Sequence, residues 1–215
     1  MRHDPATVPA DDDLGQALRV IEAGSLQDEA SLDLLERSMK STQAILRRHG
    51  LVGLDRREAL RPDHLVGAIT DPDPENRSRA LRVAARSIDP SEDLISAITN
   101  ATQDPVDYVA VAAVRTIGDL EIHDALALLI SLATTADDAM VREEAVAAIA
   151  SLGDPRGLDA IIAACDDKPA IRRRCVAALG AFDGDLVEAT LDRLSTDRDW
   201  QVRQAVAMLR RGELS

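Results

Sequence analysis

Few side chains in this 215-residue sequence could carry chemistry. The four histidines, His3, His49, His64 and His123, are scattered, and none is followed by glutamate. Metal sites draw their ligands from short, regular spacings. That spacing is missing, so these histidines are expected to be surface or helix-capping residues, and no metal is expected. Cys165 and Cys175 form no CxxC motif and lie in apolar, helix-periodic surroundings, which makes them packing residues. Asp11, Asp12 and Asp13 could hold a cation, but a helix dipole alone favours acidic residues at a helix start, and they are read that way. The phosphate-binding GxxxxGK[ST] and GxGxxG motifs are absent, as are HExxH and GxSxG. No catalytic residue and no cofactor are expected.

Arginine is the remaining reagent. The chain carries a net charge of −13, and its only lysines are Lys40 and Lys168. An acidic molecule repels phosphate backbones and anionic membranes, which disfavours both as partners. The arginines are not spread evenly, however. Within one class of helix-periodic segment they outnumber carboxylates, giving a local excess of about +6. Arg79, Arg82, Arg86, Arg115, Arg173 and Arg174 lie there and are the expected partner-binding residues, suited to bidentate pairing with carboxylates.

The elements that must position these residues repeat. NRSRALRVA from Asn76, VAVAAVRTIG from Val109, VREEAVAAIA from Val141, IRRRCVAALG from Ile171 and VRQAVAML from Val202 align with one another. Apolar residues at three, four and seven place one face of each inward. A second apolar set, from Leu65, Leu94, Leu126, Leu158 and Leu186, lies between them, with Gly and Pro at the joints. The period of roughly 31 residues is that of a helical repeat, each unit being helix A, turn, helix B. Aromatic residues make up only 1% of the chain, so the core must be Leu, Ile, Val and Ala. Ahead of the array, one helix is expected from about Asp12 to Ala23. A second should run from near Ser25 through Leu35 and Ile45 to a stop at Gly50.

This pattern resembles the HEAT-repeat family, in particular the short bacterial type named after phycobilisome lyases. Its signature is an Asp six residues before the Arg that opens helix B. Asp71 and Arg77, Asp166 and Arg172, and Asp197 and Arg203 stand at that spacing. The second unit has Asp104 but Ala110, and the third has Arg142 but Ala136. The resemblance implies that these pairs form a ladder tying turns to helices. It also implies an all-α, right-handed α-solenoid of about five helix pairs with N-terminal cap helices. The divisions expected are a mobile tail at 1–10, a cap at 11–61, and an array at 62–215. The array splits at approximately 62–89, 90–118, 119–152, 153–181 and 182–215. In such arrays the B helices line the concave side.

The function expected is a non-catalytic protein-interaction scaffold, its concave B-helix face holding a protein partner with an acidic surface. The alternative is a HEAT-built enzyme or nucleic-acid binder, either DNA glycosylase-like or phycobilin lyase-like. The deoxyhypusine hydroxylases of this fold use His-Glu pairs, which the chain lacks. Glycosylases of this fold grip bases with Trp, Asp and Arg, and Trp200 stands beside Asp199 and near Arg203. With a single Trp and a single Tyr available, Trp200 and Tyr108 are read instead as rings covering seams between repeats. The opening MRHDPATVPADDD has no apolar core for a signal, no run reaches the ~20 residues of a membrane span, and two buried-type cysteines fit a reducing, cytoplasmic setting.

Overall fold

A computed structural model describes residues 11–87 and 89–213, the side chains of Asp11 and Asp12 excepted. The tail at 1–10 lies outside the described residues. Among the described residues there are thirteen α-helices and no strand. The absence of sheet follows from composition: Ala and Leu favour helix, and alternating β-branched runs are missing. The chain divides into two compact units, Met1–Val83 and Ala84–Ser215.

The first unit contains α1 (Asp11–Ala23), α2 (Glu29–Ser38), α3 (Ala44–Arg56), α4 (Pro62–Ile69) and α5 (Pro74–Ala84), whose last residue falls in the second unit. Ala17, Val20 and Ala23 of α1 join Leu35 of α2 and Leu46 and Leu54 of α3 in one buried cluster. Two expectations fail here. The helix expected from near Ser25 begins at Glu29, capped by Asp28, whose carboxylate accepts from the Ser31 amide at 2.8 Å. The single long helix also breaks at Met39–Gln43, and Gly50 does not end it. Gly50 and Gly53 lie inside α3, where α2 crosses closely. A Cβ on Gly50 would stand 3.0 Å from the Leu35 carbonyl oxygen, and one on Gly53 would stand 2.3 Å from the Leu35 side chain. Glycine serves close approach there, not termination.

The second unit contains α6 (Glu92–Ala101), α7 (Asp107–Asp119), α8 (Leu126–Thr135), α9 (Ala139–Leu152), α10 (Leu158–Ala164), α11 (Pro169–Leu179), α12 (Asp185–Leu194) and α13 (Trp200–Arg210). Even-numbered helices are the A members and odd-numbered ones the B members. Each B helix packs on its own A helix, and α7, α9, α11 and α13 pack in succession. On α9 the buried residues are Val141, Ala145, Val146, Ala148, Ile149 and Leu152. These fall on one stripe, and each large apolar side chain fully buried there contributes about 1.5–3 kcal/mol. Asp138 caps α9 and Asp199 caps α13 with carboxylate-to-amide hydrogen bonds, worth about 1 kcal/mol each. Gly153 ends α9 at φ 61°, a left-handed conformation that glycine adopts without strain.

Candidate functional site

The ladder residues meet, but not in the pairs the sequence suggested. Each ladder arginine binds its own turn, and Arg142 and Arg172 also reach the next one. In each, Nη1 donates back to its own turn: Arg77 to the Asp71 carbonyl at 2.9 Å, Arg142 to Ala136 at 2.7 Å, Arg172 to Asp167 at 2.7 Å and Arg203 to Asp197 at 2.6 Å. These are backbone oxygens, so Arg142 needs no Asp at position 136. In Arg142 and Arg172 the rest of the guanidinium forks onto a carboxylate 25 residues further along the chain. Arg142 pairs with Asp167 at 2.7 and 3.1 Å, and Arg172 with Asp197 at 2.8 and 2.7 Å. Asp166 is therefore outside the ladder. It is exposed and pairs with Arg193 of α12. The reason is geometric: the Arg side chain points along its own helix toward the preceding turn, where only the carbonyl is presented.

Arg47 makes the same bonds without standing at the Asp-to-Arg spacing. Its Nη1 donates to the carbonyls of Ser41 and Thr42, and its fork grips Asp71 at 2.6 Å on both arms. Arg47 stands six residues after Ser41, the ladder offset without its aspartate, and the bond needs only the Ser41 carbonyl. Helices α2 and α3 thus share the repeat geometry of the later pairs. Burial alone would raise the Asp71 pKa, yet the Arg47 and backbone hydrogen bonds hold it below the usual carboxylate value. Arg142 lowers Asp167, and Arg172 lowers Asp197.

The six arginines assigned to partner binding do not all stand free. In the second unit Arg115 of α7 forks onto Glu144 of α9 at 2.8 and 2.9 Å. Arg174 of α11 reaches Glu143 of α9 at 3.4 Å. Glu143 and Glu144 lie on the helix between these two arginines, so part of the local positive excess is neutralised across the B layer. Arg173 differs, since its Nη1 donates to the neutral amide oxygen of Gln201 at 2.8 Å and it has no ion pair among the described residues. Arg82 is exposed and bonds Ser78, and Arg86 is exposed just past α5. Arg79 is half-buried.

Arg173 and Arg174 border a groove of about 410 Å3 across α9, α11 and α13. Glu143, Ala177, Gln201, Gln204, Ala205 and Met208 complete its lining. The Nε of Arg174 is buried there without a hydrogen-bond partner. The groove therefore offers one uncompensated guanidinium, two amides able to donate and accept, and apolar patches at Ala177 and Met208.

Trp200 is 61% exposed and Tyr108 42%, so neither ring is closed into a seam. Asp199 is occupied as the α13 cap and Arg203 by turn carbonyls, so neither is aimed at a base beside Trp200. Cys165 and Cys175 are fully buried, and their mutual hydrogen bond together with burial pushes the Cys175 thiol far up. His64 accepts from the Arg61 amide at the start of α4, a capping role. Asp13 accepts from Gln43.

No match to this sequence was found among curated proteins. Among solved structures, an engineered protein matches with a TM-score of 0.60 at 18% identity, covering 83% of this chain and 94% of that one. The Escherichia coli protein YibA matches at 0.61 and 13% identity, over 96% and 76%. A designed armadillo repeat protein in complex with the peptide (KR)4 matches at 0.54 and 16% identity, over 91% and 98%. These likenesses show an α-solenoid fold of repeated helix pairs. The family model of HEAT repeats matches residues 62–150 and 129–210, and with most of its length so matched the chain belongs to the HEAT-repeat family.

Proposed function

We propose that this chain is a protein-interaction module that seats an acidic peptide segment of a partner on its B-helix face. The observation that carries the reading is the groove across α9, α11 and α13, where Arg173 faces solvent with a neutral amide as its only partner among the described residues. An incoming carboxylate can take the Arg173 fork, and Gln201 and Gln204 can hydrogen-bond an extended backbone. The apolar patches at Ala177 and Met208 add contact area. Solenoid repeats commonly serve as interaction scaffolds because stacked helices present a long surface without a pocket. The comparison with a designed repeat protein holding a peptide supports a peptide-sized ligand, although that peptide is basic. The Asp-and-Arg turn chemistry supports placing the repeats with the short bacterial type. Two buried free thiols support a reducing, cytoplasmic setting. Among the described residues no helix is long and apolar enough to cross a membrane.

The test is selection of peptides from a random display library against the whole chain at about 0.1 M salt. Enriched peptides should carry Asp or Glu, weaken as screening shortens from about 10 Å to about 3 Å at 1 M salt, and lose binding to an Arg173→Glu/Arg174→Glu variant. Enrichment of basic peptides, or binding indifferent to that variant, would sink the proposal.

A further inference from the structure

A second recess, independent of the groove, lies wholly in the first unit. It has a volume of about 240 Å3 and is lined by Ile21 of α1, Arg48, His49, Val52, Gly53 and Arg56 of α3, and Arg79 of α5. Three guanidinium groups and an imidazole line it, and among the described residues no carboxylate does, in a chain whose net charge is −13. Arg48 is committed, its Nε donating to Asn76 at 2.8 Å and its Nη2 to Asp73 at 3.0 Å. Arg56 and Arg79 make no hydrogen bond or ion pair with any described residue. Like charges held around one recess repel, and folding alone gives no reason to place them there.

We propose that this recess binds a phosphate monoester dianion. The charge count favours a phosphate over a carboxylate. Two uncompensated guanidinium charges match a group carrying about two negative charges at neutral pH, and the donors of Arg56, Arg79 and His49 exceed what one carboxylate can accept. Arginine forks fit the terminal oxygens of phosphate in pairs. The size suits a single phosphate group with a short stem against Ile21 and Val52. Burial, followed by the charges of Arg48 and Arg79, pushes the His49 pKa below its usual value, so its ring is neutral at pH 7 and can still donate one N–H. A phosphorylated side chain of a partner protein and a free small phosphate ester offer the same chemistry.

The test is calorimetric titration of the whole protein with inorganic phosphate and, separately, with a short phosphoserine peptide and its unphosphorylated form. Saturable one-to-one binding of phosphate is expected, weakened at least tenfold in Arg56→Gln and in Arg79→Gln. Because neither arginine has a partner among the described residues, both variants should keep the wild-type circular dichroism spectrum and peptide-groove binding. A phosphopeptide binding tenfold or more above inorganic phosphate assigns the site to a modified partner, and equal binding assigns it to a small ester. Both outcomes support the site. Absence of saturable binding by phosphate and phosphopeptide alike, or binding unchanged in both well-folded variants, overturns it.

Discussion

Arg172 shows how one side chain can hold two repeats together. Its side chain is only 5% exposed, yet it is fully employed: a fork on Asp197 and a bond to the Asp167 carbonyl. Removing one member of a buried pair leaves the other charge stranded, at a cost of about 3 kcal/mol. Arg172→Ala should therefore lower the melting temperature clearly, while exposed Arg173→Ala should fall within about 0.5 kcal/mol of the parent. The corrected partners make a sharper test. Asp167→Asn should destabilise the protein, because Arg142 loses its fork. Asp166→Asn should be nearly silent, since its pair with Arg193 is solvent-exposed and worth about 0–1 kcal/mol. Equal loss in the two variants would return the ladder to the spacing read from sequence. A fixed Asp-to-Arg offset is visible along the chain, and Arg77, Arg172 and Arg203, which stand at it, donate to turn carbonyls. The offset does not show the carboxylate partners of Arg142 and Arg172, because they sit 25 residues further on, at a distance that only the packing of successive turns defines. Acid should report the same bonds. Asp71, Asp167 and Asp197 have folded pKa values below their unfolded value of about 3.9. Their contribution is thus complete above about pH 4 and is lost as pH falls through the lowered folded values. A shallow decline in melting temperature from pH 7 to 5, where the half-buried His49 and His64 are protonated more readily in the unfolded chain, and the main fall below about pH 4 are expected. A main loss centred above pH 5 would assign acid sensitivity to other groups.

At the scale of helices, the apolar periodicity made the helix pairs from α4 onward legible, because a stripe at three, four and seven is a property of the chain itself. Between Ser25 and Gly50 the sequence does not display its helix break, for a physical reason. The break at Met39–Gln43 contains no Gly or Pro, and the glycines that do occur, Gly50 and Gly53, answer to Leu35 on another helix. A glycine as a stop and a glycine as a contact look alike in one dimension. Substitution separates them. Gly53→Ala should destabilise, since overpacking against a fully buried Leu35 costs about 1–3 kcal/mol and outweighs a helix-propensity gain of up to about 1 kcal/mol. Gly67→Ala in α4 meets nothing within 4 Å and should stabilise by about 0.5–1 kcal/mol. Thermal unfolding of both variants checks the contrast, and a stabilising Gly53→Ala would remove the close-approach argument.

Across the whole molecule, charge is sorted rather than merely abundant. The net charge of −13 sits largely outside the B helices, where Arg115 and Arg174 are balanced by Glu144 and Glu143 and Arg173 is not. The positive bias of the B layer was legible from helical position alone. Which arginines are spent internally was not, because the compensating glutamates lie about 30 residues away on a neighbouring helix. What remains is a narrower surface than six arginines suggested: the groove bounded by Arg173, Gln201, Gln204 and Met208. The most direct measurement of that claim is site-specific photo-crosslinking to an acidic peptide obtained by selection, with the reactive group placed at Gln204 in the groove or at Glu188 on the exposed face of α12. Capture from Gln204 but not from Glu188, abolished by Arg173→Glu/Arg174→Glu, is the predicted result. Capture from Glu188 with none from Gln204 would contradict a partner seated on the B-helix face.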